Sequence, residues 1–164
     1  MARVLSFIGA VDCYILDIDP TRQQAARNMG FQVISPGQAI HNFDIAFNSS
    51  SSAAGLQQAI DAVGQAGKVV ELSWYGSKSV NVLLGGSFHS QPKQLISSQV
   101  SALPPDRLPR WDFARRKKVV FQLLQNPVFD HMISLTLPFA EAPIFFKKIR
   151  TAPISAIGVC IDYR

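Results

Sequence analysis

Apolar and polar positions along the chain fall into two alternating rhythms, short β-rich runs and longer stretches with a helical period. The first run, residues 12–17, carries Cys13, Tyr14, Ile15 and Leu16 and ends on the carboxylate of Asp17. Pro20 then sits where a helix starts, and Gly30 stops the helix after Thr21 to Met29. A short strand over 31–34 breaks at Ser35-Pro36-Gly37, and 44–48 reads as the next strand. The spacing of Leu56, Ile60 and Val63, with Ala53 and Ala59 beside them, predicts an amphipathic helix over 52–64. Gly67 ends that connection, and 68–72 reads as a strand.

Past residue 75 the rhythm loosens. Residues 80–84 and 94–103 read as strands, with Gly85-Gly86 and Pro92 between them. Residues 112–125 predict a helix with Phe113, Val120 and Leu124 turned inward and Arg115 and Lys118 outward. A strand over 135–139, a helix over 140–150 and a strand over 156–163 complete the chain. Short strands joined by helices are the mark of βαβ crossovers, which build a parallel sheet with helices on both faces. The expected fold is a doubly wound, mostly parallel α/β domain occupying 1–164 as one unit.

With 164 residues there is room for one sizeable core and not for two ordinary domains. A 48% hydrophobic and 16% charged composition excludes a disordered or fibrous chain. No apolar run reaches the ~18 residues of a membrane span, so no membrane partner is expected. The opening ten residues, one Arg and an apolar stretch, superficially resemble a secretion signal but run into a strand-like segment without a small-residue cleavage site. A cytoplasmic protein is expected, with Cys13 and Cys160 as buried, reduced thiols in apolar runs. Six of the sixteen basic residues fall between Arg107 and Lys118, which reads first as a solvated helix face or a subunit contact. A nucleic-acid patch is the lesser reading. His41, His89 and His131 lack metal-ligand spacing and read as surface or loop residues.

Candidate chemistry begins at Asp17. In a dinucleotide-binding sheet, the carboxylate closing the second strand accepts hydrogen bonds from the adenosine ribose hydroxyls. Here an apolar strand ends on Asp17 and a helix opens three residues later, with Ile18 in the turn and Arg22 placed near the ribose or adenine. Against this stands the plainer reading that Asp17 and Asp19 serve only to cap the helix.

The order of segments decides between them. An acidic residue after a strand, Pro20, a helix with Arg22 and Arg27, the Ala25-Ala26 pair and Gly30 come first. Phe43-Asp44-Ile45-Ala46-Phe47, the small loop Asn48-Ser49-Ser50, the helix from Leu56 to Val63 and Gly67-Lys68-Val69-Val70 follow. Ile96-Ser97-Ser98-Gln99 and Leu137-Pro138-Phe139-Ala140-Glu141-Ala142 come later. In this sequence of modest motifs the chain resembles the nucleotide-binding domain of the zinc-type medium-chain alcohol dehydrogenases over nearly its whole length. The resemblance implies that Asn48 and Ser49 lie beside the adenine ribose and pyrophosphate. It implies that Leu72, Ser73 and Trp74, with Tyr75, border the nicotinamide.

The departures from that family matter as much. No Gly-x-Gly-x-x-Gly occurs in the sequence, so the turn and helix dipole that hold a pyrophosphate are missing. Residues 2–9 resemble the tail of the helix after that turn, and Gly9-Ala10-Val11-Asp12 the family's link to the second strand. The expectation is an incomplete domain without its first strand, cut at its N-terminal side. The GroES-like half, which holds the family's catalytic and zinc-binding residues, is then absent, leaving no catalytic and no metal-binding residue in this chain.

The resemblance implies NAD-dependent hydride transfer between a nicotinamide and an alcohol or carbonyl in the intact family, with zinc there and not here. Asp17 favours NAD over NADP because its charge repels a 2′-phosphate. The chain alone is expected to bind the dinucleotide weakly and to turn over little or nothing. Two other readings stand beside this one. A non-catalytic module could dimerise near residues 96–103 or through an exposed sheet edge. An S-adenosylmethionine-dependent methyltransferase also places an acid after its second strand, but that class normally ends in an antiparallel strand hairpin, and the helix at Pro138-Phe139 followed by Tyr163 fits dehydrogenases better.

Overall fold

The computed structural model describes all of residues 1–164 except Ile8, Ala10 and Pro153. The proposed link Gly9-Ala10-Val11-Asp12 includes Ala10 and so lies partly outside the described residues. The chain divides into two compact units, Met1–Gln38 with Phe113–Arg164, and Ala39–Asp112. Every paired strand is parallel to its neighbour, as the βαβ rhythm requires.

In the first unit, helix α1 (Ala2–Leu5) precedes strand β1 (Tyr14–Leu16). Helix α2 (Pro20–Asn28) opens on Asp19, whose side chain accepts the Thr21 and Arg22 N–H groups, with Pro20 in the first turn. It ends where Gly30 takes φ +83°, a conformation costly for residues with a Cβ. Strand β2 (Gln32–Ile34) returns alongside β1, pairing Tyr14 with Gln32 and Leu16 with Ile34. Ala26 and Ile34 are buried. The second sheet of this unit pairs β6 (Ile133–Pro138) with β7 (Gly158–Asp162), and Leu137 and Ala142 are buried. Helices α5 (Phe113–Leu124) and α6 (Ala142–Thr151) complete it.

The second unit is a three-stranded sheet in the order β3 (Phe43–Asn48), β4 (Val63–Glu71), β5 (Gln94–Ser97). Helix α3 (Ala53–Ala62) makes the β3–β4 crossover, its N-cap Ser52 accepting the Gly55 N–H. Leu56 and Ile60 of its apolar stripe form the core with Val63 and Val69 of β4, and Ala46, Ala59, Val80, Val82 and Phe88 pack against them; Val63, expected on the helix, opens the strand instead. At ~25 cal/mol per Å² of apolar surface removed from water, such a cluster is the main support of a unit this small. The short helix α4 (Ser87–Ser90) precedes β5.

Several expectations change in detail. Strand β4 begins at Val63, five residues before the expected Lys68. The pairing register jumps from Phe43↔Val63 to Ile45↔Lys68, so 64–67 bulges out. Gly67 fits there because a Cβ would stand 2.8 Å from Val63 Cβ and 2.9 Å from the Gly64 carbonyl. Residues 80–84 are no strand: Val80 and Val82 face the core, but Leu83 spends its N–H on the Gln57 side chain rather than on a ladder. Strand β5 stops at Ser97, well short of 103.

Helix α5 departs furthest from expectation. None of its residues is buried, and Phe113, Val120 and Leu124, expected inside, are about half exposed. Cys160 is exposed and Cys13 only half-buried, so neither is the buried thiol expected; both are free. No helix among the described residues is long and apolar enough to cross a membrane.

Candidate functional site

Open α/β sheets bind ligands beyond the carboxyl ends of their strands, because the loops there join strand to helix and carry helix N-termini. The candidate residues fall at such ends: Asp17 directly after β1, Asn48 as the last residue of β3, and Leu72 directly after β4. They divide between the two units, with Asp17, Ile18 and Arg22 in the first and Asn48, Ser49, Leu72, Ser73 and Trp74 in the second.

In the first unit, Asp17 does not cap α2; Asp19 does. Asp17 Oδ1 accepts the Asp19 N–H at 2.9 Å, and its carbonyl accepts Gln23 Nε2 at 2.7 Å. That closes a tight turn and leaves Oδ2 facing Arg22 Nη1 at 3.8 Å. At that separation and with partial exposure, the ion pair is worth about 0–1 kcal/mol, so it orients Asp17 more than it stabilises the fold. Arg22 is itself tethered, Nη2 donating to the Ile154 carbonyl at 2.9 Å and Nε standing 3.8 Å from Asp19 Oδ2. Ser155 donates to Asp19 Oδ2 at 2.8 Å. That hydrogen bond first, then those from the Thr21 and Arg22 N–H groups and the charge of Arg22, hold the Asp19 carboxyl below its ordinary range, against some desolvation.

Ile18, between the two carboxylates, is 82% exposed. A cavity of about 420 Å³ opens beside this turn, lined by Asp17, Arg22, Ile15, Ala26 and Phe31 among others. Arg3 borders it as well, donating to the Met29 carbonyl at 3.1 Å and lying over the Phe31 ring.

In the second unit a hydrogen-bonded cluster joins two loops. Asn48, 4% exposed, donates from Nδ2 to Glu71 Oε2 at 2.7 Å and to the Tyr75 hydroxyl at 3.0 Å. Tyr75 donates to the same Glu71 oxygen at 3.1 Å, and the Ser73 N–H to the other at 2.7 Å. Asn48 Oδ1 accepts the Ser50 N–H at 3.2 Å, and Ser73 Oγ accepts the Ser51 N–H at 3.0 Å. Desolvation works to raise the Glu71 carboxyl, but the donors Asn48, Ser73 and Tyr75 outweigh it and hold it below its ordinary value. The Tyr75 hydroxyl is pushed up by burial and by Glu71, so it stays a donor.

The loop after β4 therefore hangs from Glu71, a residue the sequence reading passed over. An acid closing the third clear strand was the available signal. Ser49 and Leu72 are exposed at the rim. Trp74 is 81% exposed, so it does not anchor the loop; Tyr75 does. His41, His89 and His131 are exposed. No group of three or more His, Cys, Asp or Glu side chains among the described residues could hold a metal ion, so the residues present do not fit zinc.

No family model matches the chain, and no curated protein matches it. Solved structures do match its fold. It resembles 2R,3R-butanediol dehydrogenase from Bacillus subtilis with a TM-score of 0.74 at 15% identity, over 99% of this chain and 47% of that one. A protein of Escherichia coli described as a short chain alcohol dehydrogenase, in complex with NADH, gives 0.71 at 15% identity, over 99% and 48%. A protein of Sinorhizobium meliloti described as a zinc-binding dehydrogenase, bound to NADP, gives 0.70 at 17%, over 98% and 47%. The chain thus spans about half the length of the dehydrogenases it matches. Its fold is the Rossmann-like α/β fold found in the medium-chain, zinc-type alcohol dehydrogenases.

Proposed function

We propose that this chain is the cofactor-binding portion of a zinc-type medium-chain alcohol dehydrogenase and that its ligand is a nicotinamide dinucleotide, NAD in preference to NADP. The observation that carries the reading is Asp17, a part-exposed carboxylate with one oxygen fixed in a turn and the other facing Arg22, directly after a parallel strand. Charge-assisted hydrogen bonds from ribose hydroxyls suit that second oxygen. Exposed Ile18 offers an apolar surface to an adenine face, and Arg22 holds the carboxylate in register. Asn48 and Ser49 would meet the ribose and pyrophosphate region. The backbone of Leu72, Ser73 and Trp74 would face the nicotinamide, held by Glu71 and Tyr75.

The glycine turn that family members use for the pyrophosphate has no counterpart in the sequence, so affinity should be weak. The zinc chemistry of the family has no ligands among the described residues, and no step is assigned to it. As this chain alone the protein should bind without turning over, in the cytoplasm. Isothermal titration with NAD and NADP tests the binding. Saturable NAD binding that weakens in Asp17→Ala supports the reading, and the absence of any binding at millimolar NAD contradicts it. Robust turnover with a panel of alcohols and NAD would refute the claim that the chain is catalytically incomplete.

A second reading has its own observation. Strand β5 is an edge strand whose four residues are all exposed, Leu95 and Ile96 among them. Such an edge invites pairing with a second copy as a non-catalytic assembly module. Light scattering after size exclusion separates the two: a clean monomer counts against assembly and leaves NAD binding untouched.

A further inference from the structure

The charge of this chain is not shared out along it. Residues 1–112 balance eight basic against eight acidic residues, whereas 113–164 hold eight basic against three acidic and so carry the whole net charge of +5. Seven of those eight basic residues lie on α5 and α6, and neither helix contains an acidic residue. Concentrated charge of one sign is a statement about partners, since it costs self-repulsion within the fold.

Helix α5 adds a second feature. Its successive residues turn by about 100°, which puts Phe113, Val120 and Leu124 on one stripe with Phe121 beside it. All four are exposed, Phe113 by 53% and Phe121 by 57%, and the helix has no buried residue. Lys117 sits within that stripe, Arg116 and Lys118 lie towards its two flanks, and Arg115 lies opposite. The Arg116 guanidinium lies 4.8 Å from the Phe113 ring centroid, and Lys117 Nζ 5.8 Å from that of Phe121. Each exposed aromatic ring is thus attended by a cation.

We propose that α5 is an interfacial helix that lays its apolar stripe into the surface of an anionic lipid bilayer, with Lys117, Lys118 and their neighbours on the headgroups. The charge is complementary to such a surface, and the apolar stripe has a medium to enter there that water does not supply. Lys117 keeps its ammonium at headgroup level by extending its four-carbon stem along the stripe. A nucleic acid would satisfy the cations alone. It would leave Val120 and Leu124 in water and find both phenyl rings already attended by cations. The contact is peripheral, as no helix among the described residues is fit to cross a bilayer. It does not depend on the dinucleotide reading.

Co-sedimentation of the full chain with phosphatidylcholine vesicles, with and without roughly 30% phosphatidylserine, tests this. Binding is expected only with the anionic lipid and should weaken as salt is raised. Replacing both Lys117→Gln and Lys118→Gln should reduce it roughly 20- to 30-fold, and Lys118→Gln alone roughly fivefold. Phe121→Ser, at unchanged charge, should reduce it roughly tenfold. These side chains are exposed, so circular dichroism should be unchanged, and Lys118→Gln is the milder variant should the double one lose helix. Absence of binding to anionic vesicles at low salt overturns the proposal. So does binding that the lysine variants leave unaltered, or tighter binding to a single-stranded oligonucleotide than to vesicles.

Discussion

Asn48 Nδ2 donates to Glu71 Oε2 at 2.7 Å, tying the last residue of β3 to the last residue of β4. Both following loops start from this pair, so its geometry sets where Ser49 to Ser51 and Leu72 to Tyr75 lie. Asn48→Asp keeps the shape and replaces the donor with a second negative charge against Glu71. The variant should lose about 1–3 kcal/mol of unfolding free energy, the usual cost of an unmatched buried polar group. Urea denaturation measures it. A stability equal to the wild type would mean the pair is incidental.

The same cluster makes stability depend on pH in a definite direction. The folded-state pKa of Glu71 lies below its ordinary 4.5, because the donors Asn48, Ser73 and Tyr75 together outweigh desolvation. A depressed carboxyl stabilises the fold above its unfolded pKa, and that contribution disappears as pH falls through the folded value. The melting temperature of the wild type should therefore exceed that of Glu71→Gln by most above pH 4.5. The gap should close as the pH falls below 4.5 and through the depressed folded-state value. A gap that stays constant as the pH falls would assign the effect to packing instead of charge.

Where local signals and long-range packing agree, the chain can be read directly. Pro20, Asp19 and Gly30 bound α2 for local reasons, and Leu56 and Ile60 face the core because the helical period puts them there, while Val63 reaches it as the first residue of β4. Asp17 stands at a strand's carboxyl end for the same local reason. Residues 80–84 have the β-branched composition of a strand, but a strand needs a partner edge, and Gln57 takes the N–H of Leu83 instead. The inward face assigned to α5 failed similarly. Periodicity reveals that an apolar stripe exists and not what covers it. Glu71 escaped notice because its importance lies in donors from residues 48, 73 and 75; the local turn supplies the last two, but only the parallel pairing of β3 with β4 brings Asn48 opposite Glu71.

If Asp17 grips a ribose, its replacement should change which dinucleotide is preferred. Asp17→Ser removes the acceptor and the charge that repels a 2′-phosphate, while Arg22, tethered to the Ile154 carbonyl, stays to meet that phosphate. NAD affinity should fall roughly 10- to 100-fold, the worth of a charge-assisted hydrogen bond. NADP affinity should hold or rise. Titration calorimetry of both cofactors gives the ratio, and a parallel loss for the two would show that Asp17 acts only by shaping the turn.

Lys93 is the one buried cation among the described residues, 5% exposed, and no carboxylate accompanies it. Its Nζ donates to the Ile60 carbonyl at 2.7 Å and to Ser87 Oγ at 3.2 Å. Ile60 lies in the last turn of α3, where carbonyls lack helical partners and the helix dipole is negative, so an ammonium there replaces part of its lost hydration. Lys93→Met keeps the stem but orphans that carbonyl and should cost about 1–3 kcal/mol. Lys93→Ala removes the stem as well and opens a void beside Ile60, so its loss should be the larger of the two. Chemical denaturation of both variants checks the order. Equal losses would mean that the ammonium alone matters, and no loss in either would mean that water caps α3 as well as Lys93 does.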